Sequence, residues 1–250
     1  MTSNPVSTPG KPDAQGFWLN DKTHRNWLMD QAMRQFDFFQ GSIRPEGGFY
    51  TLAHDGSPLN SPVQELHTTT RLIHSYALGH LLGVDGADRI VETGMAYLQS
   101  HHKDPHHGGF VWAMSGDQIA DDRKLAYGHF FVLLAAASAK LAGHPNADRL
   151  LQDVRGVLDA HFWDEDAALF CDELNRDWTP FSTYRGMNAN MHGVEAMLAA
   201  FEATGEAVYL DRSGRILDFF INQVAAQEHW RLPEHYTENW DIDRNYAGDP

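Results

Sequence analysis

The sequence predicts an all-α fold of repeated helix pairs, because three markers recur about every 60 residues. Helix-ending glycines lie at Gly83, Gly143 and Gly205, separated by 60 and 62 residues. Apolar, mostly aromatic helix ends lie near residues 36–39, 96–98, 157–158 and 218–220. Links rich in glycine or aromatic residues lie at 47–49, 108–110, 168–170 and 229–231, with spacings of 61, 60 and 61. Such units stack into a solenoid or close into a toroid.

The chain begins with a segment that differs in composition from the rest. Residues 1–16 contain three prolines and almost no large apolar side chain, which predicts a disordered leader. We therefore expect one domain over residues 17–250. Its first helix is predicted at 21–39, with its buried side formed by Trp27, Leu28, Phe36, Phe38 and Phe39.

The remaining helices follow from apolar spacing and from their terminal glycines. In the sixth, Val194, Met197, Leu198 and Phe201 recur at the spacing of one buried face, and Gly205 ends the helix. The first link, around residues 47–56, predicts a short strand and a tight turn. The other six helices are predicted at residues 63–82, 88–100, 122–141, 147–162, 188–204 and 208–224.

Four links but only seven helices are predicted, so the repeat is expected to be incomplete. Closing a six-pair ring at this period needs about 120 further residues. Helices one and seven are then expected to expose apolar flanks that a closed ring covers. The sequence is thus interpreted as the N-terminal part of a longer enzyme.

The composition excludes several classes of protein. Its 34 acidic against 19 basic residues give a net charge of −15 and no basic patch, which argues against nucleic acid and anionic membranes as partners. No apolar run approaches the roughly 18 residues of a membrane span. The single cysteine, Cys171, excludes an internal disulfide and favours a cytoplasmic location. A homo-oligomer remains open.

Polar side chains cluster at the head of the otherwise apolar sixth helix. Asn188, Asn190 and His192 lie there, and such groups cost free energy when buried without a partner. A ligand with many hydroxyl groups is one such partner. Five side chains lie at similar distances before the glycine that ends their inner helix, so they project from the same end of these helices. His67 and Tyr127 lie 16 residues before that glycine, Arg71 lies 12, Asn188 lies 17 and His192 lies 13.

The links place His235 and Glu238 at this same mouth, which predicts a pocket of the size of a sugar. Each residue also has a simpler explanation. His192 can be a capping or core residue, and Tyr127 can be packed with its hydroxyl bonded. Arg71 can pair with a carboxylate such as Glu65 or Glu195.

Other groups offer weaker chemistry. The pairs His192–Glu195 and His235–Glu238 have a spacing that can bind a metal, but neither brings further ligands, so no metal or other cofactor is expected. The histidines at 101, 102, 106 and 107 flank a turn and are predicted to be solvated. Cys171 lies beside two acidic residues that raise a thiol pKa, which argues against a nucleophile.

Four ordered strings over about residues 18–250 resemble the N-acylglucosamine 2-epimerase superfamily, above all its aldose–ketose isomerases acting on D-mannose, which have relatives acting on sulfoquinovose. They are Leu-His-Thr-Thr-Thr-Arg at 66–71, Tyr-Gly-His-Phe-Phe at 127–131, Met-Asn-Ala-Asn-Met-His at 187–192 and Glu-His-Tyr-Thr-Glu at 234–238. The resemblance implies an (α/α)6 barrel without a metal. It also implies sugar contacts from Arg71, Tyr127, Asn188 and His192.

The same resemblance implies that His235 is one half of a histidine acid/base pair, with Glu238 beside it. The other half lies in the family's C-terminal portion, so the 250 residues alone are expected to lack useful activity. The expected catalytic residues are His235, His192 and Glu238, and His67 is expected to contact the sugar with Arg71, Tyr127 and Asn188.

Three functions remain open. The first is an aldose–ketose isomerase of the D-mannose/D-fructose type, which moves protons through an enediol. The second is a sugar 2-epimerase on the same barrel, of the N-acylglucosamine or cellobiose type. The third is a noncatalytic sugar-binding fragment.

Overall fold

The computed structural model describes residues 10–13 and 16–247. Most of the predicted leader (residues 1–9 and 14–15) lies outside the described residues, so its disorder stays a prediction. The described part contains seven α-helices: α1 (Lys22–Phe39), α2 (Leu66–Leu81), α3 (Ala87–Tyr97), α4 (Ala126–Leu141), α5 (Ala147–Val157), α6 (Met187–Thr204) and α7 (Ala207–Leu217). Among these residues, no helix is both long and apolar enough to span a membrane.

The described residues also form nine short strands, eight of them between helices and the last after α7. They are β1 (Val63–Glu65), β2 (Ala113–Ser115), β3 (Gln118–Asp121), β4 (Lys124–Leu125), β5 (Trp163–Asp164), β6 (Leu169–Phe170), β7 (Glu173–Leu174), β8 (Arg185–Gly186) and β9 (His235–Tyr236). All strand pairs are antiparallel.

The helices form a row of pairs, as the repeat predicts. The inner helices α2, α4 and α6 lie side by side, with α4 in the middle, and α3, α5 and α7 each pack on the inner helix that precedes them. Central α4 is apolar all round, and 13 of its 16 residues are buried. Close approach needs glycine at two contacts: a Cβ at Gly193 would lie 2.8 Å from Phe130, and one at Gly128 would lie 2.8 Å from Leu66.

The helix-ending glycines are confirmed. Gly83, Gly143 and Gly205 have φ angles of 77°, 80° and 76°, in the left-handed region where a side chain is unfavourable. The links repeat in backbone geometry too. Residues 47, 108, 168 and 229 all have positive φ, although the last two are Ala168 and His229.

The predicted starts of helices two and four are wrong by three to four residues, because short strands precede these helices. Each inner helix is headed by a strand that pairs with a later link: β1 with β2, β4 with β7 and β8 with β9. The backbone N–H and C=O groups of these preceding residues bond to a partner strand, so they do not form a further helical turn. These three pairs bring the heads of α2, α4 and α6 to the same side of the molecule.

Buried polar side chains at the helix heads bind the links. The backbone N–H of each link phenylalanine donates to one of them, Phe49 to Gln64 at 2.6 Å, Phe110 to His129 at 3.1 Å and Phe170 to Asn190 at 2.9 Å. Burial lowers the pKa of His129 to about 3, so the ring is neutral and Nδ1–H donates to the Leu125 carbonyl. For Asn190, the hypothesis of a ligand as partner is therefore wrong.

The first helix is less buried than its pattern predicts. None of its residues is buried, and Leu28, Phe38 and Phe39 are exposed. Contact with α2 runs mainly through Phe36, whose ring lies 5.3 Å from that of Tyr76. An apolar groove of about 690 Å³ lies between the two helices. The expected exposed apolar flanks are confirmed on α1 and also on α7, at Leu210 and Leu217.

Candidate active site at the heads of the inner helices

Tyr127, near the start of α4, is the centre of the candidate site. Its hydroxyl accepts a hydrogen bond from Arg71 Nη2 at 3.0 Å, and its ring meets that of His192 edge-on at 5.2 Å. The Arg71 guanidinium also lies over the Phe131 ring at 4.4 Å. The structure therefore brings Arg71, Tyr127 and His192 together from three helices, as predicted.

The simpler explanation for Arg71 does not hold. Within the described residues it forms no salt bridge, and neither Glu65 nor Glu195 is its partner. Its guanidinium is exposed at the mouth, where one of its nitrogens binds a neutral phenol. Charge that is not compensated by a carboxylate remains available to an oxyanion or to a polar ligand.

His67 lies beside this cluster, on α2. Its ring stacks on Trp112 with centroids 5.0 Å apart and lies 6.1 Å from the Tyr127 ring. Burial lowers the pKa of His67, and nearby Glu65 opposes this only partly. The ring is therefore neutral near pH 7 and helps to form an aromatic wall.

A pocket of about 300 Å³ opens next to Tyr127. This volume lies at the small end of ligand sites and suits a monosaccharide-sized molecule. The side chains that line it include Tyr127, Asp172, Tyr184, Asn188, His235 and Tyr246. Predicted residues Tyr127, Asn188 and His235 thus share one pocket. Arg71, His67 and His192 contact Tyr127 but do not line this pocket. Arg71 and His67 instead line the groove between α1 and α2.

His235 is held in this pocket by two tyrosines. Its Nδ1 lies 2.9 Å from the Tyr184 hydroxyl, and its ring stacks on Tyr246 at 4.1 Å. Burial, with the neighbouring Asp172 carboxyl, raises the pKa of Tyr184, so this partner is a neutral phenol at neutral pH. In the described part of the chain, Nε2 has no hydrogen-bond partner. An imidazole fixed through one nitrogen and free at the other is suited to proton transfer.

Glu238 is not in this pocket. It is exposed and lines a separate depression with Cys171, Phe181 and Arg185. His235 belongs to strand β9, after which the chain turns, and Trp240 has a φ of 64°. The spacing of three residues, which places two side chains on one face of a helix, has no such effect here.

His192 pairs with Glu195 on the same helix. The Nδ1–Oε2 distance is 2.9 Å, which uses the histidine nitrogen for an intrahelical contact. Over residues 10–13 and 16–247, no three His, Cys, Asp or Glu side chains are grouped to hold a metal ion. The residues present therefore do not form a metal site of the usual kind.

Two residues outside the predicted site, His102 and Cys171, were also assigned an environment from the sequence. His102 is buried, not solvated, and its Nδ1 bonds the Val111 carbonyl; burial lowers its pKa to about 4. The pKa of Cys171 is raised to about 11, mainly by burial and only to a lesser degree by Asp172. The cysteine remains a thiol, in agreement with its predicted inertness.

Sequence reasoning missed Asp172, which the structure places in the pocket. Its Oδ2 accepts a hydrogen bond from the Gly186 N–H at 2.8 Å. Burial raises its pKa to about 7 against the effects of that bond and of Arg185. The residue stands beside Cys171 in a link, and no helical spacing indicated it, because its position follows from the β4–β7 pairing.

Comparisons with known proteins place the chain in a family. Residues 47–250 match the family of N-acylglucosamine 2-epimerases (GlcNAc 2-epimerases). A D-mannose isomerase of Thermobifida fusca is 43% identical over 236 residues, covering 93% of this chain and 58% of the relative. One of Pseudomonas cannabina pv. alisalensis is 34% identical over 223 residues, covering 89% of this chain and 53% of the relative.

Solved structures show the same fold. A crystal structure of a D-mannose isomerase superposes with a TM-score of 0.85 at 32% identity, covering 89% of this chain and 57% of that one. Cellobiose 2-epimerase from Bacillus thermoamylovorans gives a TM-score of 0.79 at 16% identity, covering 87% and 61%, and so supports the fold alone. The fold class is confirmed as helix pairs of the α/α-barrel type. The chain spans a little over half the length of these relatives.

The family match and the alignment with the Thermobifida fusca relative together extend over nearly the whole described chain, and the family match includes every residue that lines the pocket. The chain therefore belongs to the N-acylglucosamine 2-epimerase family.

Proposed function

We propose that this chain carries the sugar site of an aldose–ketose isomerase of the D-mannose/D-fructose type that works without a metal. One observation carries the proposal: a monosaccharide-sized pocket holds His235, Asn188 and Tyr127 together. The relatives named D-mannose isomerase support the choice of substrate. A single cysteine and the acidic composition favour a cytoplasmic location.

The pocket's side chains fit the chemistry of the reaction. An aldose becomes a 2-ketose when a proton leaves C2 and returns to C1 through an enediol. His235 is the proposed carrier of this proton, because imidazole gives and takes protons near neutral pH. Arg71 donates to the Tyr127 oxygen, which makes the phenol a better donor to negative charge on a sugar oxygen.

Isomerisation and epimerisation differ in the faces that they use. An isomerase can remove and return the proton on one face of the enediol, so one carbon-proton carrier is enough. A 2-epimerase must return the proton to C2 from the opposite face and needs a second carrier there. His235 can serve as the one carrier that isomerisation needs, and the choice of an isomerase over a 2-epimerase rests on the relatives named D-mannose isomerase.

Product analysis tests the proposal. Purified residues 1–250, and a chimera in which they replace the matching segment of the Thermobifida fusca relative, are incubated with D-mannose and followed by NMR. We expect fructose from the chimera. Glucose would instead indicate the 2-epimerase, and sugar binding without turnover would indicate a noncatalytic sugar-binding role.

Activity is expected to survive chelation. The described residues provide no cluster of metal ligands, so dialysis of the chimera against excess EDTA should change kcat less than twofold. Loss of activity that one divalent cation restores would contradict the metal-free proposal. Dialysis against buffer alone is the control.

A further inference from the structure

Asp172 is fixed from two sides at the floor of the pocket. Its backbone carbonyl accepts the N–H of Ala126, at the head of α4, at 2.8 Å. Its side-chain Oδ2 accepts the N–H of Gly186, at the head of α6, also at 2.8 Å. The carboxyl group is thus placed by the same two helices that place Tyr127 and Asn188. Its position depends on backbone atoms rather than on flexible side chains.

The other carboxyl oxygen has no such partner. In the described part of the chain, Asp172 Oδ1 makes no hydrogen bond with the protein. Gly186 lets this oxygen and the Tyr184 hydroxyl approach the head of α6 closely, because a Cβ there would lie 2.9 Å from Oδ1 and 2.8 Å from the Tyr184 oxygen. Asp172 and Tyr184 both line the pocket, and Tyr184 in turn contacts His235. Oδ1 is therefore the carboxyl oxygen that is left for a sugar hydroxyl.

Resting on the function proposed above, we propose that Asp172 contacts the substrate and moves the hydroxyl proton between the sugar oxygens O1 and O2. In the forward direction Asp172 donates its proton to O1 of the open-chain aldose while His235 removes the proton from C2. This forms a neutral enediol. Asp172 then takes the proton from O2 while the protonated imidazole returns its proton to C1. The 2-ketose results, and both side chains recover their starting protonation.

The electrostatic surroundings support this role. Burial raises the pKa of Asp172 to about 7, where a carboxyl group can both give and take a proton at neutral pH. Gly186 and Arg185 oppose the shift, and Glu173 adds to it. Ionisable groups that face Asp172 or share its pocket are Tyr127, Glu173, Tyr184, Arg185, Glu234, His235 and Tyr246.

A purely structural role makes a different prediction. Asparagine can accept the Gly186 N–H through its carbonyl oxygen but cannot exchange a proton with the sugar. Asp172→Asn in the chimera should therefore lower kcat by about 10²-fold or more, and KM should rise by no more than about tenfold. Wild-type kcat/KM should fall as pH rises through about 7, because the proton donor is lost, and the variant should lack this dependence.

Two further proteins complete the experiment. Glu202→Gln removes an exposed carboxylate on α6 and should match the wild type. Gly186→Ala retains the carboxyl group but crowds Oδ1, so it should also lower kcat, and it replaces Asp172→Asn as the test if that variant does not fold.

A binding experiment uses D-mannitol, an unreactive open-chain polyol. Calorimetry measures its affinity for residues 1–250 and for their Asp172→Asn variant, and we expect the affinity of the variant to be about tenfold lower.

The outcomes separate this inference from the function on which it rests. Turnover and mannitol affinity that are unchanged in Asp172→Asn, in an active chimera, would overturn the role of Asp172 and leave the isomerase proposal intact. If the unsubstituted 250-residue chain did not bind mannitol and the unsubstituted chimera did not turn over mannose, both the role of Asp172 and the isomerase proposal would be overturned. A fall in thermal stability with an unaltered pH profile would reduce Asp172 to a structural residue.

Discussion

Replacing His235 with alanine is expected to lower the turnover of the chimera by at least about 10²-fold, as loss of a general acid/base does. The imidazole is fixed at Nδ1 by the Tyr184 hydroxyl at 2.9 Å and stacked on Tyr246, so Nε2 is the nitrogen left for the sugar. Because the ring carries the proton between C2 and C1, kcat should fall more than KM rises. Steady-state kinetics with D-mannose measures both.

Two variants make this result specific. His80→Ala removes an exposed histidine at the far end of α2 and should leave turnover unchanged. Tyr184→Phe leaves the imidazole in place without its hydrogen bond and should give an intermediate loss. If His235→Ala raised KM and kept kcat, His235 would bind the sugar without transferring its proton.

Removing Asp104 is expected to destabilise the 250-residue chain by about 3–5 kcal/mol, as breaking a buried ion pair does. Its carboxylate and the Lys124 ammonium are both fully buried, 3.0 Å apart, and Arg176 donates to the same carboxylate at 2.8 Å. Asp104→Ala leaves two positive charges without their partner. Urea unfolding, followed by circular dichroism, measures the loss.

A paired replacement separates charge from packing. The double variant Asp104→Leu with Lys124→Met removes both buried charges and should recover a large part of the lost stability. A loss below about 1 kcal/mol in Asp104→Ala would contradict the importance of this pair.

The pH dependence of stability gives a further check on Asp104. Burial favours its neutral form, but hydrogen bonds from Arg176, the His106 amide and Lys124 hold its pKa well below the usual range. A depressed folded-state pKa stabilises the fold above the unfolded-state value of about 4 and loses this contribution as pH falls further. The difference between wild type and Asp104→Ala should thus be constant from pH 7 to about 5 and shrink in acid.

Periodic features were predictable from the sequence because they depend on local chemistry. Gly83, Gly143 and Gly205 end helices through a left-handed conformation that glycine adopts without cost, and this recurs with the repeat. The same helical arithmetic placed Arg71 and Tyr127 at one end of neighbouring helices, where they are in contact. Their roles toward a sugar remain proposals.

Features set by partners distant in the chain were not predictable. The apolar pattern of α1 predicts a buried face, yet burial depends on what packs against it, and Leu28 and Phe39 are exposed. Glu238 follows a two-residue strand and lines a separate depression, which its place in the same link as His235 did not reveal. Asp172 reaches the pocket through strand pairing and through the amide of Gly186, which local sequence does not reveal.

The most direct test of the proposed site is a crystal structure of the chimera with D-mannitol, whose open chain resembles the reacting form of the sugar. We expect the polyol in the pocket lined by Tyr127, Asn188 and His235, with one hydroxyl within hydrogen-bond distance of His235 Nε2. Mannitol bound instead in the apolar groove between α1 and α2, or absent from the pocket at saturating concentration, would contradict the account.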